Sequence, residues 1–429
     1  MFYLDERDRG VGDSQRALRE KNLRRVFGIV RQSGQIARAE LSRRCALSPS
    51  TISSLVEDLV RSDLIRQTGL GKAAATSGRR PILLSVNPSG RQIPVFSLGV
   101  SGVAYALYDL SGLTLERGFH PCLFRGGGEG PFREAGERYA RIIAGVMERP
   151  SSILDRGRVP AILLSYPGIY LEEEGRFLLT ATGTSFTRET MVKMGEMLGL
   201  PVYAGNASQS LAWAEKRRLE ALGQAADDLM YVNVCSGVGA GLILRGEAFL
   251  QPGCRAGEIG HMTILEGGRP CPCGNRGCLE RYVSIDAILR EVRAALAEEV
   301  RLERPELVRD LMEDDTLASL SRALELDMAA LRAPMERVAR WLAAGIASAV
   351  NVTGISRVAL GGLQPLGGAF LEQVRRHLTG GGERFLMRHV TLDYAHTLPE
   401  EEGLGIAQCF IDRAFPITGS GLPGEQAVE

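Results

Sequence analysis

The sequence has 429 residues, of which 45% are hydrophobic, 24% charged and 6% aromatic, the composition of an ordinary water-soluble globular protein. A disordered, fibrous or disulfide-scaffold protein is therefore excluded, and the length alone predicts about three domains. The least polar stretch, 341–356, is too short to span a membrane, and the first ten residues lack the apolar core of a secretory signal. We therefore expect a cytoplasmic protein without a membrane partner.

Charge is distributed unevenly along the chain, although the net charge is zero. Residues 1–90 contain 16 Lys+Arg and 9 Asp+Glu, which gives +7; because the whole chain contains 51 of each class, the remainder contains 35 and 42, which gives −7. A basic first fifth followed by an acidic remainder predicts a nucleic-acid-binding head on a body that binds something else. A solvated basic surface without a nucleic-acid partner would have the same composition.

Three helices are predicted in the basic head. The first has apolar residues at helical spacing, followed by a break at Gly34: Leu23, Val26, Phe27 and Val30. The second covers Arg38–Cys45, and the third begins after Ser48, a natural N-cap that is followed by Pro49 at the first helical position. The inward-facing residues of the third helix are expected to be Ile52, Leu55, Val56, Leu59 and Val60.

Two short helices joined by a tight turn predict a helix-turn-helix, and strand character in 64–67 and 81–86 around a Gly-rich tip adds a wing. Hydroxyl side chains at the start of the third helix are placed to reach base edges, while arginines nearby hold phosphates. The predicted DNA-binding residues are Arg43, Arg44, Ser50, Thr51, Ser53, Arg79 and Arg80. The alternative is a three-helix packing module with no role in DNA binding.

Beyond residue 88 the sequence alternates β-type runs with helical or Gly-rich stretches, which predicts α/β layers. Strands are predicted at 95–100, 105–109, 161–165, 202–204, 229–234 and 241–244. Helices are predicted within 131–147, 208–222 and 286–350. We expect 358–363 to be the last buried strand.

The strongest chemical signal lies in 254–282. His261, Cys271, Cys273 and Cys278 supply one imidazole and three thiolates, the ligand set of a closed tetrahedral zinc site. Because four protein ligands leave no position for water, we predict one structural Zn²⁺ per chain. The alternative is a group of buried free cysteines beside a surface histidine.

The motifs around these four residues resemble those of the ROK family (repressors, open reading frames and sugar kinases). GEIGH at 257–261 and CPCGNRGCLE at 271–280 are similar to the family signature, and SYPG at 165–168, LGG at 360–362 and SGRRP at 77–81 resemble further family segments. The resemblance, to the transcriptional-regulator branch, implies an α/β fold with an N-terminal winged helix-turn-helix followed by a two-lobed actin-like, ribonuclease-H-like sugar-kinase fold. The domains implied are an N-terminal extension, the winged helix-turn-helix, the sugar-kinase-like ligand-binding domain and a C-terminal tail, at 1–20, 21–90, 93–412 and 413–429.

The resemblance also implies a sugar pocket formed by Asn206, Glu258, His261 and Glu280. Carboxylates and an amide can accept from and donate to the adjacent hydroxyls of a pyranose ring. A zinc-bound His261 would present its second ring nitrogen in a fixed orientation.

Three departures from the family's kinases affect catalysis. Ala207 stands where the kinases carry the Asp that acts as general base, and a methyl group cannot take a proton. Ser97 and Val100 replace the Asp and the second Gly of the phosphate loop. The second phosphate turn, at 235–237, is only partly intact. We therefore expect no kinase activity.

These features together predict a sugar-responsive transcriptional regulator, a repressor, associated with the nucleoid in the cytoplasm. Its partners would be a palindromic operator, a sugar or sugar-phosphate effector, and further copies of itself in a homodimer or a dimer of dimers. One alternative is an active ATP-dependent sugar kinase with a regulatory DNA-binding head. A second alternative is a regulator that senses a protein partner.

Overall fold

The computed structural model describes residues 14–71, 80–99, 101–122, 133–149, 153–179, 183–249, 256–299, 317–325, 329–382, 384–413 and 415. The chain divides into two compact units. The first unit comprises 2–166, 173–205 and 406–429, and the second comprises 167–172 and 206–405. Within the described part of the chain, no helix is both long and apolar enough to cross a membrane.

The first unit begins with a head of three helices and three short strands. The helices are α1 (Ser14–Ser33), α2 (Arg38–Cys45) and α3 (Pro49–Arg61), and the strands are β1 (Ile36–Ala37), β2 (Ile65–Leu70) and β3 (Ile82–Val86), in the sheet order β1-β3-β2. Gly34, with φ +66°, follows the end of α1, and the Ser48 side chain caps α3. The three predicted helices and the two wing strands are thus confirmed, and α1 already begins within the stretch predicted as an extension.

One residue of the third helix was placed wrongly. Val60 is 38% exposed, whereas Ile52 and Leu59 are completely buried. Eight residues along a helix correspond to a rotation of about 80° beyond two full turns, so Val60 lies past the edge of the face that begins at Ile52.

The rest of the first unit is built on a five-stranded sheet with the order β12-β8-β4-β5-β6. These strands are β4 (Gln92–Leu98), β5 (Gly102–Asp109), β6 (Thr114–Pro121), β8 (Ile162–Tyr166) and β12 (Val202–Asn206). A smaller group comprises β7 (Arg133–Glu134), β10 (Arg176–Leu179) and β11 (Thr184–Thr187), and the helices are α4 (Gly136–Met147) and α5 (Arg188–Leu198). The parallel neighbours β4 and β8 are nearly continuous apolar runs, as is typical of strands covered on both faces.

The segment that joins the head to this sheet is closely packed. Asn87 Nδ2 donates to Asp63 Oδ1 at 2.7 Å, and a Cβ at Gly90 would lie 1.9 Å from the Asp63 carbonyl oxygen. On the sheet side, the Leu110 N–H donates to the Pro88 carbonyl at 3.3 Å. The connection is therefore an ordered, hydrogen-bonded turn.

The second unit is a mixed sheet covered by helices. The sheet order is β15-β14-β13-β16-β17, and its strands are β13 (Leu229–Val234), β14 (Val238–Leu244), β15 (Glu247–Ala248), β16 (Arg357–Gly361) and β17 (Thr391–Tyr394), while β9 (Ile169–Leu171) also belongs to this unit. The helices are α6 (Ala207–Ala221), α7 (Glu280–Val283), α8 (Ile285–Glu299), α9 (Leu317–Glu325), α10 (Ala329–Thr353) and α11 (Gly367–Thr379). A final helix, α12 (Glu402–Arg413), begins in this unit and ends in the first.

The strand at 357–361 is buried over most of its length, as expected for the last buried strand, but a further strand follows it in sequence, because β17 pairs parallel with it. In β17 only Leu392 is buried. A four-residue strand with one buried apolar residue has no alternation that sequence reasoning could detect.

Candidate metal centre and DNA-binding head

Four potential metal ligands meet in the second unit. The ligand atoms of His261, Cys271, Cys273 and Cys278 all lie within 4.8 Å of one another. The Sγ atoms of Cys273 and Cys278 are 3.7 Å apart, and His261 Nδ1 is 3.6 Å from Cys271 Sγ. Zinc bonds of about 2.3 Å to sulfur and about 2.0–2.1 Å to nitrogen, in a tetrahedron, place ligand atoms about 3.6–3.8 Å apart. The cluster could therefore hold a metal ion.

Tight backbone turns bring the cysteines together. The Cys271 N–H donates to the Asn275 carbonyl at 2.8 Å, and the Gly274 N–H donates to the Cys271 carbonyl at 3.0 Å. Gly277 has φ +76°, and a Cβ there would lie 1.8 Å from the Leu265 carbonyl oxygen. Only glycine fits at that position, because any side chain would push the two backbone segments apart.

The turn that carries His261 is pressed against strand β14. A Cβ at Gly257 would lie 2.0 Å from the Ala240 carbonyl oxygen, and a Cβ at Gly260 would lie 2.0 Å from the Val238 carbonyl oxygen. These two close approaches fix the short helix at 259–261 to the sheet. The glycines of GEIGH therefore position the residues between them.

Two carboxylates flank the imidazole. Glu258 Oε2 lies 3.8 Å from His261 Nε2, Glu280 Oε1 lies 3.9 Å from His261 Nδ1, and Cys271 Sγ donates to Glu280 Oε1 at 3.0 Å. Burial, together with the negative charge of Glu280, raises the pKa of Glu258 to about 7. A carboxyl group with that pKa can either donate to or accept from a hydroxyl near neutral pH. Three of the four predicted sugar-binding residues are thus neighbours.

Asn206, the fourth predicted sugar-binding residue, makes contacts of a different kind. Its Oδ1 accepts from the Gln209 N–H at 3.0 Å, which caps the start of α6. Its Nδ2 donates to the Gly168 carbonyl at 2.9 Å. Asn206 therefore holds the SYPG turn against the N-terminus of α6.

A charged clamp supports the metal-ligand loop, and the sequence analysis missed it. Glu291 on α8 forms ion pairs with Arg269 of the loop and, at 3.1 Å, with Arg337 of α10. The Arg269 guanidinium lies 4.9 Å from the centroid of the Tyr282 ring. Burial disfavours the charge on Glu291, but the hydrogen bonds from the two arginines outweigh it and lower the pKa of Glu291. These partners are distant in sequence, so no local motif reveals them.

Three of the four arginines predicted to bind DNA lie on exposed surfaces of the head. Arg43 and Arg44 are in the last turn of α2, and both form ion pairs with Glu40. Arg44 also donates to Ser33 Oγ at 3.0 Å. Arg80, at the base of the wing, is exposed. Arg79 lies outside the described residues.

The hydroxyl groups at the start of α3 are linked to its cap. Ser48 Oγ accepts from the Thr51 N–H at 3.1 Å and lies 2.9 Å from Ser50 Oγ and 2.8 Å from Thr51 Oγ1. Ser50 is exposed, and Thr51 and Ser53 are half-buried. The hydroxyls of Ser50 and Thr51, two of the three that were predicted to read bases, are therefore held in a defined arrangement by the residue that caps the helix.

Residues 161–403, more than half of the chain, match the sequence model of the ROK family. The chain belongs to the ROK family. Residues 19–66 match the winged helix-turn-helix DNA-binding family. This range includes most of α1, all of α2 and α3, and the start of β2. The resemblance predicted from the motifs is thereby confirmed.

Curated relatives of this ROK protein are named as repressors. It is 30% identical to the putative xylose repressor of Caldicellulosiruptor sp. strain Rt8B.4 over 353 residues, which cover 80% of this chain and 83% of that protein. It is 24% identical to the N-acetylglucosamine repressor of Shigella flexneri over 346 residues, which cover 80% and 81% of the two chains.

Solved structures of the family have the same fold. A ROK family transcriptional regulator, described as a homologue of the E. coli MLC protein, matches with a TM-score of 0.75 and 23% identity over 93% of this chain and 96% of that chain. The ROK family glucokinase of Streptomyces griseus, in complex with glucose and AMPPNP, matches with a TM-score of 0.58 and 23% identity over 74% and 98% of the two chains. These structures show the fold, which is actin-like in the body. The family match, the winged helix-turn-helix match and the relatives named as repressors show that this ROK protein is a DNA-binding transcriptional regulator, in which a winged helix-turn-helix head precedes a sugar-kinase-like effector body.

Proposed function

We propose that this ROK protein is a repressor that binds a palindromic operator as a homodimer or a dimer of dimers and changes its affinity for DNA when a sugar or sugar phosphate binds to the body. The observation that carries the proposal is the grouping of Glu258 and Glu280 around His261, in a chain that has a DNA-binding head. The relatives named for xylose and N-acetylglucosamine, both polyhydroxylated sugars, support this class of effector. Such a regulator acts in the cytoplasm, at the nucleoid.

The metal in the proposal is one structural Zn²⁺ per chain. The donor set of one imidazole and three thiols fits zinc, and the distances from Cys273 Sγ to Cys278 Sγ and from His261 Nδ1 to Cys271 Sγ are those of a tetrahedral site. Burial raises the pKa of the Cys271 thiol, so a cation is needed to hold it as a thiolate. With four protein ligands, the ion would cross-link the loop and would leave no position for an activated water.

The sugar would lie beside the metal-ligand loop. With Nδ1 of His261 directed towards Cys271 and Nε2 towards Glu258, the second ring nitrogen is on the Glu258 side of the imidazole. Glu258 and Glu280 offer oxygen atoms that can each bind a hydroxyl. Asn206 would complete the pocket once its amide exchanged a protein partner for the ligand. The metal would thereby fix the orientation of one sugar contact.

We propose that the body does not phosphorylate its ligand. Ala207, at the start of α6, is buried and lacks any group that could accept a proton. Ser97 lies near the end of β4, in register with Ser165 of β8, and Val100 lies outside the described residues. At the turn 235–237, burial and the nearby charges of Glu402 and Glu400 raise the pKa of Cys235 to about 12. The nearby carboxylates of Glu400 and Glu402 would oppose the binding of a triphosphate at that turn.

The proposal is tested by titrating the full-length protein against a duplex that the same protein has selected from a randomised pool. Affinity is measured with and without D-xylose, N-acetylglucosamine and D-glucose and their phosphates. We expect one of these compounds to change the affinity about tenfold or more, and Glu258→Gln to abolish this response. Glu266→Gln, at an exposed carboxylate of the same loop, is the matched control and should retain it.

An unchanged affinity with every compound would contradict the sugar proposal, as would a loss of response in both variants. Capture of a specific protein partner by the sugar-free chain, together with an unchanged affinity, would favour a regulator that senses a protein. Phosphate release from ATP in the presence of one of the sugars would favour a kinase.

A further inference from the structure

Four aromatic rings connect the first helix of the head to the central sheet of the first unit. The ring centroids of Phe27 on α1 and Phe415 are 6.1 Å apart, with nearly parallel planes. Phe415 meets Phe410 of α12 edge to face at 5.9 Å, and Phe410 lies 5.4 Å from Tyr203 of β12. The three phenylalanines are buried. We call Phe27, Phe415, Phe410 and Tyr203 the aromatic row.

A polar contact beside the aromatic row fixes its orientation. Arg31 of α1 forms an ion pair with Asp412 of α12, and their side chains are only 7% and 14% exposed. Arg24 Nη1 donates to the Arg413 carbonyl at 3.0 Å. A buried charge pair tolerates little displacement, because separating the charges leaves each without its partner in a poorly solvated site. The end of α12 is therefore attached to α1 in one register.

The other end of the aromatic row, Tyr203, lies on β12, and the same strand carries Asn206, one of the predicted sugar-binding residues. β12 covers Val202–Asn206, so Tyr203 is three residues before Asn206 on the same extended segment. In the sheet, β12 is paired with β8. A short paired strand moves as a unit, and a displacement at Asn206 would therefore reach Tyr203 and the ring of Phe410. Packed side chains can carry such a displacement because they have few alternative arrangements.

We infer that the aromatic row positions the DNA-binding head, and that Arg31 and Phe415 are positioning residues for DNA binding. The position of β12 determines where Phe410 and Phe415 lie, and these two rings determine where α1 lies. The head is thereby oriented by the C-terminal end of the chain as well as by the turn at 87–90. Transmission of a sugar signal along the row rests on the proposed function, whereas positioning of the head does not.

A double-mutant cycle on the sugar-free, full-length protein tests this inference. Tyr203→Leu, Phe415→Leu and the double variant are titrated against the selected duplex. Each single substitution should weaken binding by at least about threefold, and the double variant should bind no more weakly than the weaker single variant, because the row is already interrupted. If either ring had only a structural role, the two losses of DNA affinity would instead multiply in the double variant.

The matched control is Tyr105→Leu. Tyr105 is a half-buried tyrosine of the same sheet, and its ring packs on Phe96 at 6.4 Å. In the double variant Tyr105→Leu/Phe415→Leu, the factors by which the two substitutions weaken DNA binding should multiply. If Phe415→Leu does not fold, as judged by its melting curve, Asp412→Asn takes its place in the cycle. Multiplying effects of Tyr203→Leu and Phe415→Leu, or unchanged affinity in Tyr203→Leu, would overturn the inference.

A second arm uses D-xylose and N-acetylglucosamine as probes. If either sugar changes the affinity of the wild type for DNA, the ratio of affinities with and without sugar should fall towards one in Phe415→Leu, while the sugar still raises the melting temperature. A retained ratio would contradict transmission along the aromatic row. If neither these two sugars nor D-glucose nor the phosphates of the three sugars act on the wild type, the proposed function fails, and the sugar-free cycle still decides the positioning role.

Discussion

Cys273 is the exposed member of the metal-ligand cluster, whereas Cys271 and Cys278 are buried. We expect the purified wild type to carry about one zinc per chain, and Cys273→Ser to lose the metal because three remaining ligands hold zinc much more weakly than four. The Tm of Cys273→Ser should also fall, since the loop loses the ion that cross-links it. Elemental analysis and thermal denaturation measure the two effects.

The control for this prediction is Cys122→Ser. Cys122 is half-buried in the first unit, outside the cluster, and its substitution should leave the zinc content unchanged. A wild-type protein that is folded and free of metal would contradict the zinc assignment, as would equal loss of zinc from the two variants.

Ala207 supports a second prediction at the residue scale. Ala207→Asp restores a carboxylate at the position of the kinase base, but Ser97 and the acidic surroundings of the turn at 235–237 remain. We therefore expect neither the wild type nor this variant to phosphorylate xylose, N-acetylglucosamine or glucose above background in a coupled ADP assay. Turnover at an ordinary enzymatic rate, about 1 s⁻¹ or faster, in either protein would refute the prediction.

At the scale of single elements, helix α3 carries a prediction on base reading. Thr51→Ala should lower the affinity for the selected duplex by about 1–3 kcal/mol and leave the affinity for a scrambled duplex nearly unchanged, since a lost base contact affects only the specific site. Thr51→Ser retains the hydroxyl that meets Ser48 and should bind nearly as well as the wild type. Equal losses on both duplexes would show that α3 does not read sequence.

Stability of the head must be measured with the same variants, because Ser48 organises the hydroxyls at the start of α3. Ser48→Ala removes the cap and is expected to reduce the stability of the helix by about 0.5–2 kcal/mol. If Thr51→Ala lowered the Tm as much as Ser48→Ala does, its effect on DNA binding would report a loosened helix start.

Elements with a strong local signal could be predicted from the sequence. The bounds of β13 and the start of α3 agree with the predictions because a buried apolar run marks the strand and a capping serine marks the helix. The bounds of α2 agree as well, although no side chain caps its start. The short strands of the β7-β11-β10 group were not predicted, since they span only two to four residues. The same applies to β17.

In the candidate sites, too, features with a local sequence signal could be predicted and features without one could not. The cluster of metal ligands was predictable because its spacing is local, and the structure brings its four members together. The Arg269–Glu291–Arg337 clamp and the Arg31–Asp412 ion pair were not predictable, because they join segments that are remote in sequence. Local patterns contain no information on such pairs. Val60 was placed wrongly because hydrophobicity alone does not locate the edge of a helix face.

At the scale of the whole molecule, the basic head predicts a strong dependence of DNA binding on salt. The logarithm of the association constant should fall linearly with the logarithm of salt concentration, because each arginine–phosphate contact releases counterions from the DNA. Arg80→Ala should reduce the slope by about one, and so should Arg79→Ala. Arg376→Ala, at an exposed arginine on α11 of the body, should leave the slope unchanged. An unaltered slope in both wing variants would exclude the wing from the DNA contact.

Among the described residues, the head is attached to the rest of the first unit at the packed turn at 87–90 and at the contact of α1 with the end of α12. A rigid body held at one point can turn in any direction, but a body held at two points can turn only about the line that joins them. Any movement that keeps both attachments therefore carries α3 along a single arc. For a protein that must present α3 to DNA, the angle along that arc is the one variable that a change in the rest of the chain needs to set.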